Sequence, residues 1–466
     1  MLHYWYHTTC GGGLMLHRKA YEKLLNWKNQ KKKKALCIFG ARQIGKTTLV
    51  RFFGKQEYDC FVEINFLEDS DAQKIFSGTL DADTLITNLT AYTRKEMEPG
   101  RTLVFLDEIQ DCPEARTAIK FLVEDGRFDY IESGSLLGVK YKEVRSYPVG
   151  FEEIYRMYPM DLEEYLWANG VQQTTIAYLK ECYNKTSPVT EAIHQTLCKL
   201  FLTYIVVGGM PDVVHTYVST HDIAKVIRVQ RDILELYRLD IAKYAEGNDK
   251  IKIKAIFDSI PSQLDNKNRR FKLSVIDPNG RQLRYADSFN WLADAGVALP
   301  CYNVVEPQPP LKLNEKHNLF KLYMGDTGLL CAACMENVQF GLINGEMEIN
   351  MGSILENLVA QQLAANGFNL NYYDGKKTGE LDFVTQNGMR VDLIEAKSGN
   401  DYHVHPALTK VMKIDAWKFG SSTVLCKGNL EKEGNIRYLP WYMIMFMKPQ
   451  ELPDQMIVEV DLSALR

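Results

Sequence analysis

No stretch of this 466-residue sequence approaches the ~20 consecutive apolar residues that a membrane-spanning helix requires. No basic start followed by a short apolar core marks a secretory leader. Cysteine provides no framework either. The ten are scattered, and the one close pair, Cys331 and Cys334 in GLLCAACMEN, lacks a second pair at zinc-site spacing. These absences point to a reducing, cytoplasmic setting with no membrane partner, and to buried free thiols. Nor is there an excess of one charge. A formal net charge of −4 excludes a chain that coats nucleic acid by bulk electrostatics and leaves only local basic patches for that purpose.

Apolar residues, by contrast, make up 46% of the chain, and its length suits roughly three domains. The opening MLHYWYHTTCGGGL holds three consecutive glycines and has no helical period. From Met15, MLHRKAYEKLLNWKNQKKKK reads as an amphipathic helix with a solvated basic end. Residues 1–14 are therefore expected to be non-native, with Met15 the true start, and residues 1–34 to form a leading helix and basic segment.

In ALCIFGARQIGKTTLVRFF a short apolar run, Ala35 to Phe39, meets Gly40 and then Gly45-Lys46-Thr47 at the spacing of a phosphate-binding loop between a strand and a helix. Glycines let backbone N–H groups close around phosphate oxygens, and the helix N-terminus adds positive potential. Gly40, Ala41, Arg42, Gln43, Ile44, Gly45, Lys46, Thr47 and Thr48 are the expected ATP-binding residues. Lys46 reaches the terminal phosphates, and the Thr47 hydroxyl ligates Mg²⁺.

The second half of such a site is RTLVFLDEIQDCP. Leu103 to Leu106 form a buried-strand run that ends in Asp107, the expected Mg²⁺ holder, and Glu108, the expected base for the attacking water. An ordinary acidic strand end is the bland alternative. YIESGSLLG places Ser133 and Ser135 at the end of a third strand, where one of them senses the γ-phosphate unless both are turn residues.

FGARQIGKTTLV, LVFLDEIQ, ESGSLLG, YPVGFEEIYRMYPMDLEEYL and VGGMPDVV follow one another as in a large prokaryotic family of AAA-type ATPases, which the chain resembles over residues 16–425. The resemblance implies an ATPase domain joined to a C-terminal domain of unknown function, which in some members resembles a restriction endonuclease. A ring-forming homo-oligomer of that type would take an arginine from a neighbouring subunit. By chain order Arg145 in KEVRSYPVG suits that role, the alternative being a solvated surface residue. One departure from the pattern is Phe151, which follows YPVG where relatives are expected to carry a basic residue. No phosphate-sensing role is assigned there.

The expected fold class is α/β: a P-loop core of the AAA type over residues 35–170, a helical lid over 171–245, a winged-helix-like domain over 246–338 and a restriction-endonuclease-like α/β domain over 339–466. In the winged-helix-like region a pair of amphipathic helices precedes a ribbon, and Arg269, Arg270, Lys272, Arg281 and Arg284 cluster about the second helix. They suit either DNA binding or a plain protein–protein spacer.

GELDFVTQNGMRVDLIEAKSG, residues 379–399, alternates in strand fashion about Asn387-Gly388. With that turn centre, Asp382 faces Leu393 and Glu380 faces Glu395. Glu380, Asp382, Glu395 and Lys397 then share one face, with Leu381, Phe383, Ile394 and Ala396 on the other. This resembles the pattern of PD-(D/E)xK nucleases, which implies Asp382 and Glu395 as Mg²⁺ ligands, Glu356 at the edge of an apolar helix stripe orienting water, and Lys397 facing the phosphate. Two functions stay open: an ATPase that drives or gates a DNA-acting tail, and an ATP-controlled protein-binding switch whose tail cuts nothing.

Overall fold

The computed structural model describes residues 9–10, 13–14, 16–135, 148–244, 249–266, 269–336, 338–344, 351–453 and 455–460. Arg145 and Met15 lie outside them, as does most of the opening segment. No described helix is long and apolar enough to cross a membrane.

Five strands form the first sheet: β1 Ala35–Phe39, β2 Cys60–Asn65, β3 Thr102–Asp107, β4 Asp129–Gly134 and β5 Glu152–Arg156. All neighbours are parallel, in the order β2-β3-β4-β1-β5. Parallel strands covered on both faces need unbroken apolar runs rather than alternation. That is why β3, TLVFLD, is buried at every position, and why β1 and β3 were legible as strands. Each strand delivers its last residues to the same end of the sheet, which places the phosphate loop after β1 beside Asp107 after β3 and Ser133 near the end of β4.

Helices follow from Leu162–Ala168, opened by a capping box in which Asp161 and Glu164 satisfy each other's backbone, through Gln173–Lys185, Glu191–Val207 and Pro211–Thr220 to the long Ile223–Tyr244. The turn between the third and fourth of these is Gly208-Gly209. Gly208 has φ 74° and ψ −165°, a region open essentially to glycine alone, and an added Cβ would lie 2.3 Å from Asp326 Oδ1.

The second sheet has eight strands: β6 Ala298–Val304, β7 Glu315–Met324, β8 Asn371–Gly375, β9 Gly379–Asn387, β10 Arg390–Ala396, β11 Phe419–Cys426, β12 Glu431–Glu433 and β13 Ile436–Pro440, in the order β12-β13-β11-β10-β9-β8-β6-β7. The helices Asp249–Leu264 and Ala286–Asp294 followed by antiparallel β6 and β7 are the elements expected of a winged helix. The ribbon is not free, however. β6 also pairs in parallel with β8, so the expected boundary between residues 338 and 339 runs through one continuous sheet. Alternation shows that a segment is a strand and says nothing about which edge it will find.

Two expectations within this sheet need correction. The β9–β10 hairpin pairs Asn387 with Arg390 and Val384 with Leu393, so the turn centre is Gly388-Met389. Relative to the expected register the partners slip by two positions, which changes neighbours without by itself inverting faces, yet the expected apolar face is divided between two cores. Continued to the strand ends, this register sets Asp382 opposite Glu395, where Asp382 Oδ2 accepts from the Ala396 amide at 2.8 Å. Phe383 and Ile394 enter the large core with Ala396 against it, whereas Leu381 enters the smaller core beneath Pro406–Val411. Glu356 is not at a stripe edge either. Its helix, Gly352–Ala365, is buried from Ser353 through Ala364, and Glu356 is 1% exposed. Of the two thiols expected to be buried, Cys331 is and Cys334 is exposed.

Gly208→Ala is expected to lower stability by about 3 kcal/mol or more, because it combines a forbidden backbone region with a clash against a buried carboxylate. Urea denaturation checks this; a loss under about 1 kcal/mol would mean the turn relaxes.

Candidate functional site

β1 ends at Phe39, and the chain turns at once through Gly40, φ 149°. A Cβ there would stand 2.2 Å from the Met157 carbonyl oxygen, so only glycine lets the loop leave the sheet this closely. The loop closes at Gly45 in the left-handed region, and Lys46 opens the helix Lys46–Glu57. The Lys46 ammonium donates to the loop's own carbonyls, Gly40 O at 3.0 Å and Ala41 O at 2.8 Å. Burial pushes Lys46 down to about 8, against the pull of Glu108 and Asp107. Ile44 is buried, while Gln43 and Thr48 are exposed.

Arg18, which sequence reasoning left in the leading helix segment, clamps this loop. Its guanidinium donates to Ile44 O and Tyr158 O, both at 2.8 Å, and pairs with Glu164 at 3.2 Å. Nothing local in the sequence marks it, since its partners lie 26 to 146 residues away.

Asp107 meets its expected partners. Oδ2 accepts from Thr47 Oγ1 at 2.9 Å and from Asn65 Nδ2 at 3.2 Å, and Oδ1 accepts from the Ser133 hydroxyl. A buried carboxylate beside a threonine hydroxyl, held by neutral donors alone, is an oxygen-rich set that fits a hard divalent cation. Glu108, next along, has φ 52°, which a non-glycine residue adopts at a cost of roughly 1–3 kcal/mol. That conformation turns its carboxylate toward Gln110 Nε2 at 2.5 Å and Ser135 Oγ at 3.4 Å. Ser133 thus steadies the expected metal ligand, and Ser135 the expected base.

The second centre lies at the C-terminal ends of β7 and β10. Glu356, Asp382, Glu395 and Lys397 gather there as expected, but with cations sequence reasoning missed. Lys321 Nζ, wholly buried, stands 2.6 Å from both Glu356 Oε1 and Glu380 Oε1. Arg269 pairs with Glu356 and lies 3.9 Å from Asp382 Oδ1, and the Tyr323 hydroxyl donates to Glu356. Burial opposes ionisation of Glu356, yet Lys321 and Arg269 hold it below the usual carboxylate range. Burial and then the charge on Glu356 raise Asp382 instead. Lys397 bonds Glu395 Oε1 at 2.7 Å, leaving Oε2 buried without a hydrogen-bond partner.

Two arginines of the expected nucleic-acid cluster are therefore engaged internally, Arg269 here and Arg270 with Asp374. Lys272, Arg281 and Arg284 remain exposed. Among the described residues, Cys37, Glu132 and Glu152 form a group with ligand atoms within 4.8 Å of one another. Arg116 already pairs with Glu152 at 3.1 Å, and burial and then Glu152 push the Glu132 carboxyl well above the usual carboxylate range, so this cluster is not a free set of anionic ligands.

Residues 32–166 match the family model described as an AAA domain. The N-terminal domain is an AAA-type ATPase domain. Residues 198–339 and 351–444 match two domains of unknown function, DUF8612 and DUF4143. No curated protein matches the chain. Among solved structures it is similar to a Walker-type ATPase of Pyrococcus abyssi at 12% identity, covering 68% of this chain and 96% of that one with a TM-score of 0.42. It is also similar to the Aeropyrum pernix ORC1 protein in complex with DNA, at 12% identity over 69% and 93% with a TM-score of 0.27. The Thermotoga maritima RuvB Holliday junction branch migration motor matches at 13% identity over 61% and 89%, with a TM-score of 0.28. At these values none of the three bears on what the chain acts upon.

The depressed Lys46 predicts a pH dependence. Phosphate needs the ammonium form, so ATP affinity should be flat below about pH 8 and fall about tenfold per pH unit above it, as the proton is lost. Calorimetric titrations between pH 7 and 9.5 check this. Affinity constant across that range would show that Lys46 keeps its proton.

Proposed function

We propose that this chain binds and hydrolyses ATP with Mg²⁺, and that the nucleotide state controls a nuclease-like C-terminal domain that docks a partner and does not cut. The observation that carries the ATPase reading is the convergence of Lys46, Thr47, Asp107 and Glu108 at one end of the parallel sheet. In that arrangement the amides of residues 40–48 surround the phosphates, Lys46 offsets their charge, and Thr47 with Asp107 would hold Mg²⁺. Glu108, kept ready by Gln110 and Ser135, accepts a proton from the attacking water. When bound, Mg²⁺ would supply positive charge that offsets the charge developing on the phosphates.

For the tail, support for a nuclease-like fold is the order helix, three-stranded meander, helix, parallel strand: Gly352–Ala365, then β8, β9 and β10, then Pro406–Val411, then β11 beside β10. Against cutting stands the allocation of charge. Glu356 is already met by two cations and a tyrosine, so a divalent ion there would have to displace covalently tethered counterions. Lys272, Arg281 and Arg284 are exposed cations of the middle region, and DNA is the partner they suit.

Lys46→Ala is expected to weaken ATP binding at least about tenfold, and Glu108→Gln to bind ATP normally while losing about 100-fold or more in turnover. Equal turnover in wild type and Glu108→Gln removes Glu108 from its role.

The tail has its own test, a plasmid-nicking assay with Mg²⁺ or Mn²⁺, with and without ATP, alongside melting curves. The expected result is no nicking and no metal-dependent shift from the C-terminal centre in a Lys46→Ala, Asp107→Ala background. Cleavage that Glu395→Ala abolishes would establish a nuclease and overturn the docking reading.

A further inference from the structure

Backbone amides explain what the loop after β1 does for phosphate, and they leave the side chain of Arg42 without a role. Arg42 Nε donates to Ser135 Oγ at 3.2 Å, and Ser135 Oγ is in turn 3.4 Å from Glu108 Oε2. On its other side Arg42 Nη1 pairs with Asp240 Oδ1 at 2.7 Å, near the end of the long helix Ile223–Tyr244. One turn earlier on that helix, the Tyr237 hydroxyl donates to the Arg42 carbonyl at 3.2 Å. A small crevice lined by Arg42, Ser135, Asp240, Trp291 and Val297 marks where loop, helix and the start of β6 meet. The fit is close: a Cβ on Gly296 would stand 2.8 Å from the Ala41 amide nitrogen.

These contacts put a guanidinium one hydroxyl away from the carboxylate that activates water. That water must lie in line with the γ-phosphorus, so the space beside Glu108 is where the terminal phosphate arrives. The Arg42–Asp240 pair is partly exposed, with side chains 27% and 16% accessible, and is weak enough to exchange. A terminal phosphate carries more charge than one carboxylate and offers a planar fork two acceptor oxygens. ADP lacks it.

We propose that Arg42 supplies, from within the same chain, the cation for the γ-phosphate of ATP, and that by leaving Asp240 it reports ATP to the helix Ile223–Tyr244. This rests on the ATPase reading and adds to it a residue that distinguishes ATP from ADP and a route by which the difference leaves the site. While paired with Asp240, the guanidinium is held back and the helix is tied to the loop. With ATP bound, Arg42 turns to phosphate, the tie is lost, and Ser135 is left with Glu108 as its one named partner. Hydrolysis and phosphate release restore the Asp240 pair.

The test measures affinity for a non-hydrolysable ATP analogue and for ADP, both with Mg²⁺, in wild type, Arg42→Ala, Arg42→Lys and Asp240→Asn, each checked for folding by its melting curve. Arg42→Ala should lower analogue affinity about tenfold while changing ADP affinity less than about twofold. Arg42→Lys should recover part of that loss. Asp240→Asn removes the competing carboxylate and should raise the ratio of analogue to ADP affinity several-fold. Hydrogen exchange over residues 223–244 should rise with the analogue in wild type and stay unchanged in Arg42→Ala. Equal losses for analogue and ADP in Arg42→Ala, or a lowered ratio in Asp240→Asn, would overturn the proposal. If wild type binds neither nucleotide, it is the ATPase reading that fails.

Discussion

A single buried carboxylate, that of Asp326, holds the segments of this chain in register. Its Oδ2 accepts from the Gly209 amide at 2.6 Å and from Gln361 Nε2 at 3.4 Å, and its Oδ1 caps the helix Thr327–Cys334 through the Leu329 amide at 3.0 Å. No cation is among these partners. Burial pushes Asp326 up to about 6 even though the amides of Gly209 and Leu329 favour the ion, so the group is held by the directions of N–H bonds. Around it, Tyr204 donates to Met160 O at 2.7 Å and receives Gln362 at 3.0 Å, while Gln362 Oε1 accepts from the Leu162 amide at 3.1 Å. The AAA domain, the helical segment, the middle region and the C-terminal helix Gly352–Ala365 each contribute to this one network. Because every bond in it is directional and buried, a shift of any one of them leaves a polar group without a partner, at a cost of about 1–3 kcal/mol each. Rigid movement of whole elements is therefore the easier response to nucleotide.

The chain treats its two acidic centres in opposite ways. Asp107 is hydrogen-bonded by hydroxyls and an amide, donors that orient a carboxylate, and it forms no ion pair with Lys46, whose ammonium feels its charge while bonding the loop carbonyls. Glu356 is surrounded by Lys321, Arg269 and Tyr323, which compensate it in full. Carboxylate count alone would rank the second centre as the better cation site. The counterions reverse that order, since an uncompensated buried carboxylate gains most from a divalent ion and a compensated one must first lose its partner.

What could be read from the sequence was what depends on neighbours along the chain. The loop after β1 and the strand before Asp107 were legible because each motif is contiguous and its flanks fix its context. The acidic face of the hairpin was legible because strand parity survives a slip of two, so Glu380, Asp382, Glu395 and Lys397 converge although Gly388-Met389, rather than Asn387-Gly388, is the turn, whereas Leu381 leaves the apolar face expected of it for the smaller core. Long-range choices were not legible. Arg269 and Arg270 look like any exposed basic pair until Glu356 and Asp374 arrive from 87 and 104 residues away. Lys321 sits in FKLYM, where a lone lysine in an apolar strand reads as an outward-facing residue, yet it is the most deeply buried cation of its centre. The ribbon of β6 and β7 was seen as a wing because nothing local declares that β8 will extend its sheet.

These same long-range contacts give the nucleotide site a physical path outward. Gly45 packs near Pro211, Tyr237 and Asp240 hold the loop from the long helix, and Gly296 presses on Ala41 from the turn that begins β6. One of these supports, the long helix, also meets Thr327–Cys334: Gln230 donates to Val206 O at 2.8 Å and Val207 O at 3.0 Å, and its amide nitrogen lies against Gly328. β6 leads directly into the sheet that carries the second acidic centre. The start of β6 borders the same junction, since the amide of Gly325, next to Asp326, donates to Val297 O at 2.8 Å. Arg269 joins that centre from the segment following Asp249–Leu264, so an ion pair ties the middle region to the buried Glu356 as well.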